Sequence, residues 1–540
     1  MKRRRFIQSM GALGYTMTFP QFFGSQAFIK SANAATAINE ANVVFPATRP
    51  QVINIFMYGG PSELAGNLTN IDDINANSQN SYPADVLAQN NLATGGKITP
   101  NGFWGEADGV MDPNPNNHNG AGGFEMEDMI ANGDMTIYRT INRLKDNTRA
   151  HRPSINSSQK GSLEIEASGG MGTKVAAVLA NNQSAFASAY GKTVSELILP
   201  FVSFEGATTA LSDDSSIQLP YLNLKGISLG TDLNNPYRRS GDYNGTTKRQ
   251  IAIDIDALVE QISPSNRTDR FNKAVDQFNN RDRLAGLIDG FRSQLDETPI
   301  IPVGGDAGPN NEFATGGATP DGTTVRVQYP NNGFADRLKA AVTLALNNQD
   351  TLFIAVGTGG LGGWDDHDNA IPKYEQRMRN LMKAMRAAML HIRYADQRVN
   401  ATEANAGLMA GAARNTDNII FNIHGDFGRN VNLNGSMGWD HGNNQNLYTF
   451  GGDAVRQERF GQNTLGKVVG ATRRIGDSGQ NRQFTDPTSG SYQAEPMSIA
   501  SSVYAYFGVQ NPEVLTKDAD MNPGGDPAID ETVAGEPTLF

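Results

Sequence analysis

Residues 418–446 read NIIFNIHGDFGRNVNLNGSMGWDHGNNQN and gather His424, Asp426, Asp440 and His441 into one short span. The chain has six histidines in 540 residues, so two of them beside two aspartates ask for a reason. One reading is a strand followed by a polar loop. The other is a metal site, because imidazole nitrogen and carboxylate oxygen are the donors that zinc and manganese take. A second stretch, GGLGGWDDHDN at 359–369, adds Asp365, Asp366, His367 and Asp368. The chain has no cysteine, which excludes disulfides, thiolate metal sites and cysteine nucleophiles. Any metal must be held by oxygen and imidazole.

Both stretches follow apolar runs that feed into glycine. QVINIFMYGG (51–60), MTIYRTIN (135–142), TLFIAVGTGG (351–360) and NIIFNIHG (418–425) read as buried strands of a mostly parallel sheet. Between the last two, Tyr374, Met378, Leu381, Met385, Met389 and Ile392 recur at helical spacing, so 374–392 is a long helix whose methionines line a core face. Strand, helix and strand make a βαβ unit. FADRLKAAVTLALNN (334–348) is a helix leading into the 351 strand. In open α/β sheets ligands bind beyond the carboxyl ends of the strands. That rule is expected to bring Asp365, His367, His424, Asp426 and His441 to one sheet edge as ligands of a divalent metal. Arg429 directly follows the 418 strand and is expected to pair with an anion. His118 sits in a turn-rich loop at 113–123, amphipathic helices are expected over 267–297, and 302–324 is glycine-rich.

The first 34 residues form a leader, with a basic start, a weakly apolar middle and Ala32-Asn33-Ala34 as a cleavage signal. Arg3 and Arg4 with Phe6 resemble a twin-arginine export signal, which implies the twin-arginine translocase as a transient partner and a periplasmic or secreted product. An ordinary secretory signal is the alternative. Removal of the leader takes away Lys2, Arg3, Arg4, Arg5 and Lys30 and no acid, so the rest of the chain is more acidic than the net −11 of the whole. Such a surface repels nucleic acid and anionic lipid. No apolar run is long enough for a stable membrane span.

The leader and the motifs FMYGGPSELAG, YRTINRLKDNTRAH, GGWDDHDN, HGDFGRNVNLNG and GWDHGNN occur in the order of the exported bacterial family called domain of unknown function 1501, and the chain resembles it from the leader to SIASSVYAYFGV at 498–509. The resemblance is weak over 202–332, which is expected to be a variable insertion in one domain spanning 35–540. It implies an alkaline-phosphatase-like α/β fold of the sulfatase-like superfamily, with a central, mostly parallel sheet between helical layers. Mapped by motif order, Asp365, His367, Asp426 and His441 correspond to metal ligands, and Phe427 stands where another histidine is usual, a place His424 would have to fill. The resemblance places a nucleophile after the first strand, where Ser62 is the nearby hydroxyl, or else a turn residue after Pro61. It also matches His151, read either as a cleft residue beside the anion-clamping Arg149 or Arg152, or as a helix-capping or core histidine.

Two classes of function follow. One is a metal-dependent hydrolase acting on phosphate or sulfate esters, with zinc, manganese or calcium, Ser62 as nucleophile and Arg429 on a small anionic substrate. The other is a non-catalytic protein of the cell envelope that keeps the fold to bind or assemble a cell-surface polymer.

Overall fold

The computed structural model describes residues 38–66, 80–83, 86, 103–105, 120–143, 148–162, 168–213, 217, 219–229, 298–307, 322–395, 418–452, 455, 466–476, 484–489, 491 and 493–517. The leader with its Arg3-Arg4 pair, His118, residues 267–297 and most of 302–324 lie outside them.

Fourteen strands are described. They are β1 (Gln51–Met57), β2 (Met135–Asn142), β3 (Phe201–Ser203), β4 (Ile227–Ser228), β5 (Ile300–Pro302), β6 (Thr324–Arg326), β7 (Phe353–Gly357), β8 (Ile419–Gly425), β9 (Gly428–Arg429), β10 (His441–Gly442), β11 (Asn444–Gly451), β12 (Val468–Val469), β13 (Thr472–Ile475) and β14 (Phe484–Pro487). Eight of them make one central sheet in the order β12-β2-β11-β8-β1-β7-β3-β4. β1 lies between β7 and β8 and runs parallel to both, with Ile55 level with Val356 on one side and Ile423 on the other. Every residue of β1, β7 and β8 is buried, as the unbroken apolar runs require of strands covered on both faces. The expected α/β class with a mostly parallel sheet is therefore present.

Helices supply the two covers. They include α1 (Gly123–Ala131), α2 (His151–Lys160), α3 (Met171–Asn181), α4 (Gln183–Tyr190), α5 (Gly333–Asn347), α6 (Ala370–Arg393) and α7 (Pro496–Tyr506). Ile53, Ile55 and Met57 of β1 pack with Leu338 and Val342 of α5 and Leu381 and Met385 of α6. The alternate residue Val52 joins the opposite core, with Val175 and Val178 of α3 and Val503 of α7. Asn332 starts α5 by accepting the amide hydrogen of Ala335 on its side-chain oxygen at 2.9 Å. All six of the helically spaced residues from Tyr374 to Ile392 are buried on α6. The β7–α6–β8 unit steps across β1, which places the ends of β7, β1 and β8 side by side.

Two features depart from the sequence reading. β11 runs antiparallel to both neighbours, β8 and β2, although its sequence NQNLYTFG begins with three amide side chains. β3 and β4 extend the central sheet from β7 within the stretch expected to be an insertion. Among the described residues no helix is long and apolar enough to cross a membrane.

Candidate metal centre

β1, β7 and β8 end at the same edge of the sheet, and the loops leaving them are tied together by their backbones. The amide of Trp364 donates to Tyr58 O at 2.9 Å, and that of Trp439 to Asp366 O at 2.8 Å. Gly59 takes φ +112°, and a Cβ there would come within 2.5 Å of the Asp365 nitrogen, so only glycine lets the β1 and β7 loops approach this closely.

Side chains sort themselves around that junction. In the 365–368 run, Asp366 is buried in an ion pair with Arg377, with Nη1 to Oδ1 at 2.6 Å, and Asp368 pairs with Lys373 at 3.0 Å. Asp365 and His367 turn to the other side and meet, His367 Nε2 to Asp365 Oδ1 at 3.0 Å. His151, the first residue of α2, brings its Nε2 to 3.4 Å from the same oxygen. His441 brings its Nε2 to 3.6 Å from that oxygen and to 3.1 Å from His367 Nε2. Ligand atoms of His151, Asp365 and His441 all lie within 4.8 Å of one another. A tetrahedral ion with bonds of ~2.0–2.2 Å holds its donors roughly 3.3–3.6 Å apart, a range that the His151–Asp365 and His441–Asp365 separations match.

Each imidazole is also oriented from behind. His441 Nδ1 faces Arg149 O at 2.6 Å, a carbonyl that can only accept, so Nδ1 carries the proton. His151 Nδ1 lies 2.7 Å from Asp426 Oδ2, and His367 Nδ1 lies 3.2 Å from Asp440 Oδ1. A neutral ring with its proton on Nδ1 would turn its Nε2 lone pair inward. This is the pattern in which an oxygen acceptor fixes the tautomer of a metal-binding histidine. The hydrogen bond to Asp426 raises the pKa of His151 above its ordinary value, while burial and then the Arg429 charge lower that of His441. Burial alone would raise Asp365, but the hydrogen bond and charge of Arg429 outweigh it and hold the carboxyl below the usual range. Asp365 and His367 keep nearly half of their side-chain surface open to solvent, so the centre has an accessible side.

The remaining candidates take other places. Asp426 is fully buried, with Oδ1 accepting from the Gly59 amide at 3.1 Å and Oδ2 facing His151, so it stands behind that imidazole rather than among the converging atoms. His424 lies within β8 rather than beyond its end, and the strand's alternation turns it onto a sheet face. There its Nε2 meets Asn54 Oδ1 at 3.1 Å and its ring packs on Phe56, and burial pushes its pKa down to about 3. It does not fill the place opposite Phe427. The Phe427 ring itself packs against His151 and His441, at 4.7 and 4.4 Å between centroids, as an apolar wall. Ser62 is buried and its Oγ accepts from the Leu64 amide at 3.3 Å, the geometry of a turn residue. Arg429 is buried as well, and its donors are directed at protein oxygens and, from Nη1, at His367 Nε2 3.4 Å away, rather than outward.

Sequence reasoning missed the supports. Arg143, buried, donates to Ser157 Oγ at 2.9 Å, Ser158 Oγ at 2.6 Å and the Asp426 carbonyl, and so links α2 to the loop after β8. Asp440, one residue before His441, was legible only as another acid in the motif. No family model matches this chain, and no curated protein matches it.

Proposed function

We propose that this chain is an exported, divalent-metal-dependent hydrolase of phosphate or sulfate esters, built on an alkaline-phosphatase-like fold related to the domain-of-unknown-function 1501 proteins. One observation carries the metal. His367 Nε2 and His441 Nε2 approach to 3.1 Å while both Nδ1 atoms face oxygen acceptors. A divalent ion bound there would satisfy both nitrogens at once, in place of a proton on His367 Nε2 and the Arg429 Nη1 donor that lies 3.4 Å from it. A proton on His441 is disfavoured, because burial lowers its pKa. The donor set of His151, Asp365 and His441 fits one ion, with His367 beside it, and imidazole donors favour zinc or manganese over calcium, which takes oxygen donors.

When bound, such an ion supplies Lewis acidity toward an ester oxygen. The chain's own residues would do the rest. Asp426 and Asp440 hold His151 and His367 in their tautomers, and the Phe427 ring keeps water from one side of the centre. α2 starts at His151 without a side-chain cap, so the positive end of its dipole and the exposed Arg152 lie beside the cluster, where an anionic ester group is attracted. Anion attraction is thereby moved from Arg429 to the start of α2.

A non-catalytic binding or assembly protein of the cell envelope is the second reading, and the turn geometry of Ser62 favours it, since that hydroxyl would not serve as nucleophile. Elemental analysis of protein purified without chelator, followed by assay of aryl phosphates and sulfates with zinc or manganese, separates the two. About one equivalent of metal with ester turnover supports the hydrolase; metal without turnover supports the second reading. A folded protein that takes up no divalent ion overturns the metal centre itself.

A further inference from the structure

Arg429 lies at the middle of the site without offering anything to solvent. Its Nε donates to Gly60 O at 2.6 Å, its Nη1 to Trp439 O at 3.0 Å, and its Nη2 to Trp364 O at 3.2 Å, to Gly59 O and to Asp365 Oδ1 at 2.5 Å. These acceptors belong to three loops: the one after β1, the one after β7 that carries Asp365 and His367, and the one that leads to Asp440 and His441. Four of the five are backbone carbonyls, which side-chain variation elsewhere leaves in place. Only a planar guanidinium has five donors spread through one plane, and a lysine ammonium offers three from a single point.

The geometry points to Arg429 as the positioning residue of the metal centre: it sets the distance between the ligand loops through their carbonyls and orients Asp365 for the ion. This rests on the metal reading above and replaces an anion-holding role for the same side chain. Two effects of the guanidinium on metal affinity have opposite signs. Its positive charge beside the ion weakens binding, whereas its hydrogen bonds preorganise Asp365, His367 and His441 and strengthen it. Positioning outweighs repulsion if the proposal is right.

Arg429→Lys separates them, because it keeps the charge and loses the planar set of donors. Zinc affinity of the folded variant, measured by competition with a chromophoric chelator, should fall about 10–100-fold, the range found when outer partners of metal ligands are removed. Arg386→Lys is the control. Arg386 is as deeply buried, in contact with Asp128 at 2.5 Å and Asp134 at 3.3 Å at the opposite, amino-terminal edge of the sheet. It should lower Tm and leave zinc affinity within about twofold, as expected of a distant site that couples weakly. Arg429→Gln guards against a variant that fails to fold with the charge retained. It removes the repulsion as well, so a rise in its affinity would show that charge, not positioning, is what Arg429 contributes. Wild-type affinity in Arg429→Lys, or an equal loss in Arg386→Lys, would also overturn the inference. If wild-type protein binds no zinc, the metal reading fails instead, which keeps the two failures distinguishable.

Discussion

Single residues around the centre differ in what their loss should do, because some offer ligand atoms and others only aim them. His441→Ala and Asp365→Asn remove inward-facing donors and should each lower metal affinity by more than tenfold in calorimetric titration with zinc. Asp426→Asn acts one shell out. It keeps an oxygen for either His151 or the Gly59 amide but not for both, so affinity should fall about tenfold while Tm changes little. Two buried groups outside the ligand set predict how stability depends on pH. Glu63 is fully buried, and burial pushes its pKa from 4.5 up to about 8 despite hydrogen bonds from Thr485 and Asn444. Because the folded value is raised, its stabilising contribution is complete below pH 4.5 and is lost as pH rises toward 8. The loss is on the order of 1.4 kcal/mol per unit in that window. Glu63→Gln should therefore gain stability relative to wild type between pH 5 and pH 8, read from urea denaturation midpoints. His424 works in the opposite direction. It stays neutral in the fold down to about 3, so stability is lost as pH falls below its ordinary value of 6.5. A flat profile on the acid side, unchanged by His424→Gln, would contradict its neutral burial.

At the level of elements, the site depends on how closely loops and short strands approach rather than on the strength of any one helix. β9 and β10 form a two-residue antiparallel pair in which His441 is level with Arg429, and this pairing sets the two residues side by side. Gly428, just before Arg429, lies so near β11 that a Cβ would come within 1.4 Å of the Asn444 carbonyl oxygen. Backbone has to move to admit it. Gly428→Ala should displace β9, lower Tm by several degrees and reduce zinc affinity together with it, as overpacking in a filled interior costs ~1–3 kcal/mol. If the variant binds zinc with wild-type affinity, the β9–β10 pair does not position the centre.

For the molecule as a whole, the parallel order β8-β1-β7 collects three loop ends on one edge, while the ion-pair network of Asp128, Asp134, Arg386 and Arg393 ties α1, β2 and α6 at the other. Export is the prediction that belongs to this scale. Lysine at both Arg3 and Arg4 should leave uncleaved precursor in the cytoplasm, detected by immunoblot of cell fractions, because the pair is read by a receptor; normal export of the double variant would contradict a twin-arginine signal. The sequence by itself determined the elements whose signal is local. β1, β2, β7 and β8 are visible as apolar runs and α6 as helically spaced methionines, since strand and helix periodicity is written within a few residues. It also put Asp365, His367 and His441 at one sheet edge, where their side chains meet. Tertiary structure alone decided which of them converge. His424 and Asp426 are two positions apart, yet one is turned onto a sheet face and the other stands behind His151. The start of β11, Asn444 to Asn446, fell within the span read as strand then polar loop, because its amides are satisfied or enclosed only by partners from distant segments, such as Glu63 and Thr485 for Asn444. Arg429 reads as a free cation until the carbonyls of Gly59, Gly60, Trp364 and Trp439 close around it. Those distances depend on the register between strands far apart in the chain, and no local pattern of residues encodes that register.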